Sequence, residues 1–225
     1  MRILALDSSG GACSAALWRD GAVRAARFER LARGHAERLL PMALEVAREA
    51  QTALAEVELF AATTGPGGFT GLRVGLAALR GLALAAGRPM LGITSFAALA
   101  HATAEEARRG RQLLVVIDSK RSELFVQAFA SDLATEGEPM LMTEASIAAR
   151  YAGRALLLAG DGGARVLAPA QARGCQVALA ENAALVEARV VATLAAARAA
   201  EASLEPPRAC YLHPPAVSRP SAAAR

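Results

Sequence analysis

The sequence predicts an α/β protein of two lobes that repeat one plan: a buried strand ending in aspartate, a turn, and then antiparallel strands. The apolar residues 3–6 lead to Asp7 in the first copy, and the apolar residues 113–117 lead to Asp118 in the second. Hydrophobic residues make up 54% of the 225 residues and charged residues 20%, so the chain can bury a substantial core. The repeat lies in the order of elements, because residue identities show no internal repeat.

The elements of the first lobe are predicted from apolar periodicity and turn signals. The Asp20-Gly21 pair predicts a hairpin between two strands. Pro41 lies inside the first helical pattern and should either kink that helix or mark a later start. The hydroxyls of Thr70 and Ser95 are predicted to cap the second and third helices. The predicted strands are residues 2–7, 13–17, 22–28, 59–62 and 90–93. The predicted helices are residues 35–53, 72–86 and 95–106.

The second lobe begins near Gly110 and follows the same order of elements. Its predicted strands are residues 113–118, 123–129 and 155–159, and a helix at 186–201 should pack back on the first lobe. This duplicated plan resembles the actin-like (ASKHA, RNase H-like) fold. The predicted division is an N-terminal lobe at 1–107, a C-terminal lobe at 108–184, a returning helix at 185–202 and an irregular, proline-rich tail at 203–225.

A glycine-rich segment, residues 65–75, joins the strand at 59–62 to the second helix. Its glycines allow positive φ angles and the close approach of another chain or of a phosphate. A nucleotide phosphate loop needs Lys followed by Ser or Thr at the helix start, and this sequence has Gly71 and Leu72 there. The segment is therefore interpreted as a tight strand–helix connection and a helix-packing surface.

Small and apolar residues recur at helical spacing on the first two predicted helices. Positions three and four apart share one helix face, and small residues let a second helix approach closely. An apolar surface of this kind predicts a partner, and homodimerisation when the chain is alone. The predicted partner interface is Leu39, Met42, Val46, Gly71, Gly75, Ala78 and Leu82.

Charge and cysteine content limit the function classes. A formal charge of +4 permits contact with nucleic acid, but the arginine-rich stretch 19–38 also contains acidic residues and has no aromatic interleaving. The three cysteines are far apart, which indicates neither a zinc site nor a disulfide framework and suits a cytoplasmic location. No signal peptide is predicted, and the apolar helix at 74–86 carries Arg80 and is too short to cross a membrane.

The glycine-rich segment closely resembles the signature Gly-Pro-Gly-Ser-Phe-Thr-Gly-Leu-Arg-Ile-Gly of the bacterial TsaB (YeaZ) family. Gly68 replaces the usual Ser, and Val74 replaces Ile. At the C-terminus, His213 replaces the Arg of a Tyr-Leu-Arg ending. Further family motifs are similar to residues 7–9, 35–41 and 117–121. The resemblance extends over most of the chain and implies the actin-like fold.

The resemblance also implies a function in tRNA processing. It implies a non-catalytic subunit that binds a TsaD-type catalytic subunit, together with a TsaE-type ATPase. This complex performs N6-threonylcarbamoylation of the adenosine next to the tRNA anticodon, giving threonylcarbamoyladenosine (t6A). The tRNA would be reached through the complex. ATP, ADP and metal are expected in the partner subunits, with no cofactor in the isolated chain and no catalytic residue of its own.

Other functions remain open at the level of sequence. An actin-fold ATP-dependent phosphotransferase or hydrolase would use Asp7 and Asp118. Without catalysis, Asp7, Ser8, Ser9 and Asp118 would be a vestigial phosphate loop, or Asp7 would only cap its own turn. No metal site is expected, because His35 lacks a second histidine at i+4, and no GxSxG nucleophile motif is present. A direct tRNA-binding module would depend on the basic charge alone.

Overall fold

Two five-stranded mixed sheets form the frame of the protein, and both have the same strand order. The computed structural model describes residues 1–212. The first sheet has the order β3-β2-β1-β4-β5, with β1 (Arg2–Asp7), β2 (Ala12–Arg19), β3 (Ala22–Arg30), β4 (Leu59–Gly65) and β5 (Met90–Thr94). The second has the order β8-β7-β6-β9-β10, with β6 (Gln112–Asp118), β7 (Leu124–Phe129), β8 (Met140–Met142), β9 (Ala155–Ala159) and β10 (Gln176–Leu179).

The strand pairing is equivalent in the two sheets. Strand β1 pairs antiparallel with β2 and parallel with β4, and β6 pairs antiparallel with β7 and parallel with β9. Asp7 and Asp118 therefore end equivalent central strands. This confirms the predicted duplicated plan of a strand ending in aspartate, a turn and antiparallel strands.

Seven α-helices connect and cover the sheets in the described part of the chain. In the first lobe, α1 joins β3 to β4 and α2 joins β4 to β5. In the second, α5 joins β8 to β9 and α6 joins β9 to β10, so the parallel crossovers are also repeated. The helices are α1 (His35–Glu49), α2 (Phe69–Ala86), α3 (Ser95–His101), α4 (Glu105–Arg108), α5 (Glu144–Arg150), α6 (Gly163–Gln171) and α7 (Ala188–Ala197).

Helices α1 and α2 cover one face of the first sheet. Leu39 and Val46 of α1 and Leu79 of α2 are buried against Leu4 and Phe60 of the sheet. Complete burial of one such side chain contributes ~1.5–3 kcal/mol. The opposite face of the sheet packs on α3 and α7, and that apolar cluster continues onto β6 and β7 of the second sheet.

Several predicted boundaries and caps are wrong. Helix α2 begins at Phe69 after Gly68, so Thr70 lies inside it and does not cap it. Its start is held by the Gly68 backbone N–H, which donates to the Ser9 carbonyl at 2.7 Å. Thr94 rather than Ser95 caps α3, because Thr94 Oγ1 accepts the Ala97 N–H at 3.1 Å.

The structure also corrects the predicted extents of the first, third and last helices. Helix α1 begins at His35, so Pro41 lies within the helix and does not mark a later start. It ends at Glu49 and not at residue 53. Helix α3 ends at His101, and a separate short helix follows it. Helix α7 covers only Ala188–Ala197 of the predicted 186–201, followed by a short 3-10 turn.

The described part of the C-terminal tail follows the edge of the first sheet. Ser203 and Met90 of β5 exchange two backbone hydrogen bonds at 2.7 and 3.0 Å. Further on, the Cys210 N–H donates to the Thr64 carbonyl at 2.7 Å. Residues 203–212 contain no helix or strand longer than this bridge, and the predicted motif position at His213 lies outside the described residues.

Helix α2 is longer than the sequence suggested, with 18 residues. By length and composition alone it would be able to cross a membrane, with a mean hydropathy of 1.3. The prediction that it is too short is therefore wrong. In the fold it lies against the first sheet, and only 22% of its residues are buried. An apolar helix with so little burial leaves a large exposed surface.

Candidate functional site

Asp7, at the end of β1, is enclosed by the protein and is hydrogen-bonded by its own turn and by β4. Its side chain is 1% exposed. Asp7 Oδ1 accepts hydrogen bonds from the Ser9 N–H at 3.1 Å, from Ser9 Oγ at 2.7 Å and from Thr63 Oγ1. Burial raises the pKa of the Asp7 carboxyl, and the hydrogen bonds from Thr63 and Ser9 only partly offset that effect. The geometry is that of a turn-capping aspartate.

The start of α2 covers the turn that follows Asp7. Ser8 Oγ donates to the Gly71 carbonyl at 2.9 Å. A Cβ added at Gly71 would lie 2.0 Å from the Ser8 carbonyl oxygen, and one added at Gly67 would lie 2.3 Å from that of Ser9. Only glycine allows this approach. The predicted phosphate-loop residues Ser8 and Ser9 are thus packed against a helix start that occupies the space beside them.

Asp118 forms the equivalent turn in the second lobe and is neutralised by cations. Asp118 Oδ1 accepts the Lys120 N–H at 2.8 Å and Arg165 Nη1 at 3.0 Å, and Lys120 Nζ lies 3.1 Å from Asp118 Oδ2. Partial burial raises the pKa of Asp118, but hydrogen bonds and charge from Lys120 and Arg165 outweigh burial and hold that pKa below its usual value. Asp161 completes the cluster, with Oδ2 3.4 Å from Lys120 Nζ.

A cleft of about 740 Å³ lies between the two lobes. Ser9, Asp118 and Asp161 line it, whereas Asp7 lies behind the turn and does not. The structure therefore brings Asp7, Ser8 and Ser9 together but leaves Asp118 on the other side of the cleft, in a separate ion-pair cluster. With one carboxylate enclosed and the other ion-paired, these residues do not fit a metal-bound nucleotide, which needs converging free ligands.

Comparison with known proteins assigns the family. A family model described as "TsaD: tRNA N6-adenosine threonylcarbamoyltransferase" matches residues 29–211. The chain is 38% identical over 132 residues to the Escherichia coli "tRNA threonylcarbamoyladenosine biosynthesis protein TsaB", covering 59% of this chain and 56% of that protein. It matches a YeaZ structure from Pseudomonas aeruginosa with a TM-score of 0.78 and 29% identity, over 94% of this chain and 99% of that one. The chain belongs to the TsaD-related family, in its TsaB (YeaZ) group.

These matches confirm the family resemblance and the actin-like fold. A ROK hexokinase from Thermus thermophilus superimposes with a TM-score of 0.52 over 89% of this chain and 100% of that one, at 14% identity, which shows the fold alone. The sequence matches to curated relatives are shorter. They span about half the length of those proteins, 56% of the Escherichia coli one and 52% of the Haemophilus influenzae one.

The predicted partner interface of this TsaB-family chain is largely internal. Leu39, Met42 and Val46 are at most 1% exposed, because α1 turns this stripe toward the first sheet. They are not available to a partner, and their assignment to an exposed surface is wrong. The small residues of α2 also have an internal role. A Cβ at Gly75 would lie 2.9 Å from Ser8 Oγ, and Gly71 packs still closer to the Ser8 backbone. Ala78 and Leu82 remain partly exposed.

The exposed apolar surface lies on the other side of α2, where the predicted interface has no residue. Leu84 is 84% exposed, and Ala77, Gly81 and Ala85 are also exposed. We call these four residues the outer face of α2. Leu40 and Leu44 add exposed apolar side chains on α1, at 44% and 42%. The available signal was that apolar residues occur on more than one face of α2. This pattern indicates a second apolar surface but does not show which face is internal.

His35 and the cysteines show packing roles. His35 Nε2 lies 3.0 Å from the Gly10 carbonyl, at the start of α1. Burial raises the pKa of the Cys13 thiol to about 11, and Cys13 Sγ contacts the His35 carbonyl at 3.8 Å. Within residues 1–212, no group of three or more His, Cys, Asp or Glu side chains is placed to hold a metal ion.

The burial of Asp7 predicts a specific pH dependence of stability. Folding raises the pKa of the Asp7 carboxyl above its value of 3.8 in the unfolded chain. The folded state therefore loses stability as the pH rises from 3.8 through the raised pKa, because the carboxyl ionises less readily in the folded state. Asn keeps an Oδ1 acceptor for Ser9 and Thr63 but does not titrate. We expect the unfolding free energy of Asp7→Asn, relative to the parent, to increase with pH across this window. Urea unfolding from pH 4.5 to 7.5 measures it, with the exposed Asp132→Asn as control. Equal pH profiles for Asp7→Asn and the parent would contradict the assignment.

Proposed function

We propose that the chain is a non-catalytic subunit in N6-threonylcarbamoylation of the adenosine next to the tRNA anticodon. Family membership supports this function, as does the similarity to a relative named as a threonylcarbamoyladenosine biosynthesis protein. The chain binds a TsaD-type catalytic subunit, acts with a TsaE-type ATPase, and meets tRNA through that complex in the cytoplasm. ATP or ADP and metal belong to the partner subunits.

The observation that carries the proposal is the exposure of α2. Only 22% of an 18-residue helix with a mean hydropathy of 1.3 is buried. Apolar residues exposed together on one helix face, with Leu84 at 84%, are typical of a protein–protein contact. Helix α2 also contains Arg73 and Arg80 and no acidic residue, so a partner with acidic side chains around an apolar centre complements it. Two copies of the chain associate through this face when the partner is absent.

The aspartate geometry supports a non-catalytic role. The Asp7 carboxylate is fully enclosed and accepts three hydrogen bonds from within its own lobe. Asp118 is paired with Lys120 and Arg165. Phosphoryl transfer requires several groups that converge on a nucleotide and its metal. The competing function, an ATP-dependent phosphotransferase or hydrolase that uses Asp7 and Asp118, would need Asp7 to be uncovered and Asp118 to be released from its ion pairs.

An omission experiment tests the proposed function. Threonylcarbamoyl transfer to tRNA is reconstituted from a TsaD-type subunit, a TsaE-type ATPase and a separate synthase that supplies threonylcarbamoyl-adenylate, with and without this chain. We expect modification to require the chain. Modification that proceeds equally without it would contradict the proposal. In parallel, the isolated chain is titrated with Mg-ATP by calorimetry. Micromolar binding that is abolished in Asp7→Ala would favour the phosphotransferase.

A further inference from the structure

The cleft between the lobes has the features of a small-molecule site that the proposed function does not use. Its volume of about 740 Å³ lies within the range of ligand pockets, roughly 300–1,000 Å³. Its apolar wall comes from both lobes: Leu99 belongs to α3, Ile117 to β6 and Phe125 to β7. These three side chains are at most 7% exposed, so the wall is held by the core.

A buried hydroxyl at the first-lobe side of the cleft is under-used. Ser95 is 2% exposed and lines the cleft. Among the described residues, its Oγ makes one long hydrogen bond, 3.4 Å to Ser9 Oγ, which itself donates to Asp7. A buried hydroxyl normally has a well-formed partner, so Ser95 offers a hydrogen bond to a group in the cleft.

The cleft also presents uncompensated positive charge. Lys120 is matched by Asp118 and Asp161, and Asp118 is also paired with Arg165. Arg73 and Arg121 line the cleft as well, and neither has a carboxylate partner within residues 1–212. Asp118 and Asp161 also line the cleft, so an anionic group would be attracted to Arg73 and Arg121, which stand apart from these carboxylates in the ion pairing.

Aromatic side chains stand beside one of these arginines. The Arg73 guanidinium lies 3.8 Å from the centroid of the Phe69 ring. The rings of Phe69 and Tyr211 are 5.5 Å apart between centroids. Both residues line the cleft and are 46% exposed. Arg73 covers one face of Phe69, so the exposed Tyr211 ring offers an aromatic contact to a flat ring and Arg73 offers charge to an anion beside it.

We propose that the cleft between the lobes binds an organic anion with a flat apolar body, one carboxylate or sulfonate group, and no polyphosphate. The apolar wall takes the body, Arg73 and Arg121 attract the anion, and Ser95 Oγ bonds a polar substituent. A polyphosphate is disfavoured because the start of α2 covers the Ser8–Ser9 turn. The proposal does not depend on the proposed function in tRNA modification.

The test is a titration of the full chain with 1-anilinonaphthalene-8-sulfonate, a flat aromatic sulfonate. Calorimetry and fluorescence measure the binding. We expect one saturable site per chain. Replacing Arg121, which is exposed, by Gln should weaken binding by roughly 3- to 10-fold through loss of a charge-assisted contact. Ala184→Trp, from an exposed position on the cleft wall, should abolish binding by filling the space.

Leu84→Gln on the outer face of α2 is the matched control, because the dye also has an affinity for exposed apolar surface. It should leave the saturable site unchanged, and excess Mg-ATP should not displace the dye. The proposal is overturned if binding is absent, if it is lost in Leu84→Gln and kept in Arg121→Gln, or if Mg-ATP displaces the dye. Arg121→Gln keeps the test decisive if Ala184→Trp fails to fold.

Discussion

Replacing Gly71 by Ala should destabilise the protein by about 2–4 kcal/mol, although the same replacement at Gly81 should stabilise it by about 0.5–1 kcal/mol. Both glycines lie in α2. A Cβ at Gly71 would lie 2.0 Å from the Ser8 carbonyl oxygen, whereas one at Gly81 would meet nothing within 4 Å. The contact is with backbone, so neither group can rotate away. At Gly81, the change gains only the better helix propensity of alanine.

Urea unfolding of the two variants and the parent at pH 7 measures this difference. Equal unfolding free energies for the Gly71→Ala and Gly81→Ala variants would contradict the close packing of α2 on the Ser8–Ser9 turn. The result also decides how partner-binding assays of variants at these glycines are interpreted. Loss of partner binding after a bulky substitution at Gly71 or Gly75 would report on folding, because both positions pack against Ser8 inside the chain.

The fold was accessible from sequence because its repeated signals are local. An apolar run that ends in aspartate identifies each central strand. The two runs form the equivalent strands β1 and β6, which end at Asp7 and Asp118. The start of α2 was less accessible, because it depends on a distant contact. Gly68 precedes α2 and has no side chain to cap it. The start of the helix is instead held by a hydrogen bond from the Gly68 N–H to the Ser9 carbonyl, which belongs to another segment. No pattern near Thr70 contains that information.

The candidate site was accessible only in part. Helical periodicity correctly grouped Leu39, Met42 and Val46 on one face, but periodicity does not say whether a face meets the chain's own sheet or a partner. The structure shows that the sheet of the first lobe covers them. For α2, apolar residues surround the helix, so the sequence could not separate the internal Gly75 from the exposed Leu84. Of the two cations that pair with Asp118, Lys120 is local, but Arg165 lies 47 residues away and has no local signal.

Replacing Leu84 by Glu should prevent association through the outer face of α2 while leaving the fold intact. Leu84 is 84% exposed, so the monomer loses little by the change. In a complex, however, the carboxylate would have to lose its water at an apolar contact, which costs more than a pair with the neighbouring Arg80 returns. We expect dissociation constants to rise by roughly 100-fold or more, both for the homodimer and for the complex with a TsaD-type subunit.

The matched control is Leu204→Glu, because Leu204 is also strongly exposed, at 72%, but lies on the C-terminal segment and not on α2. Sedimentation velocity of the isolated chain and calorimetric titration with the TsaD-type subunit measure the two associations. Unfolding in urea verifies that both variants are as stable as the parent. Equal weakening by the two substitutions would mean that the outer face of α2 is not the docking surface.

The central claim is that the chain acts in tRNA modification by docking and not by catalysis. The most direct measurement compares Leu84→Glu, Leu204→Glu and Asp118→Asn in the reconstituted transfer of threonylcarbamoyl to tRNA. We predict that Leu84→Glu abolishes the stimulation by this chain, whereas the other two variants support modification at the parent level. Full modification with Leu84→Glu, together with loss of modification in a folded Asp118→Asn variant, would contradict the account and assign the chain a catalytic role.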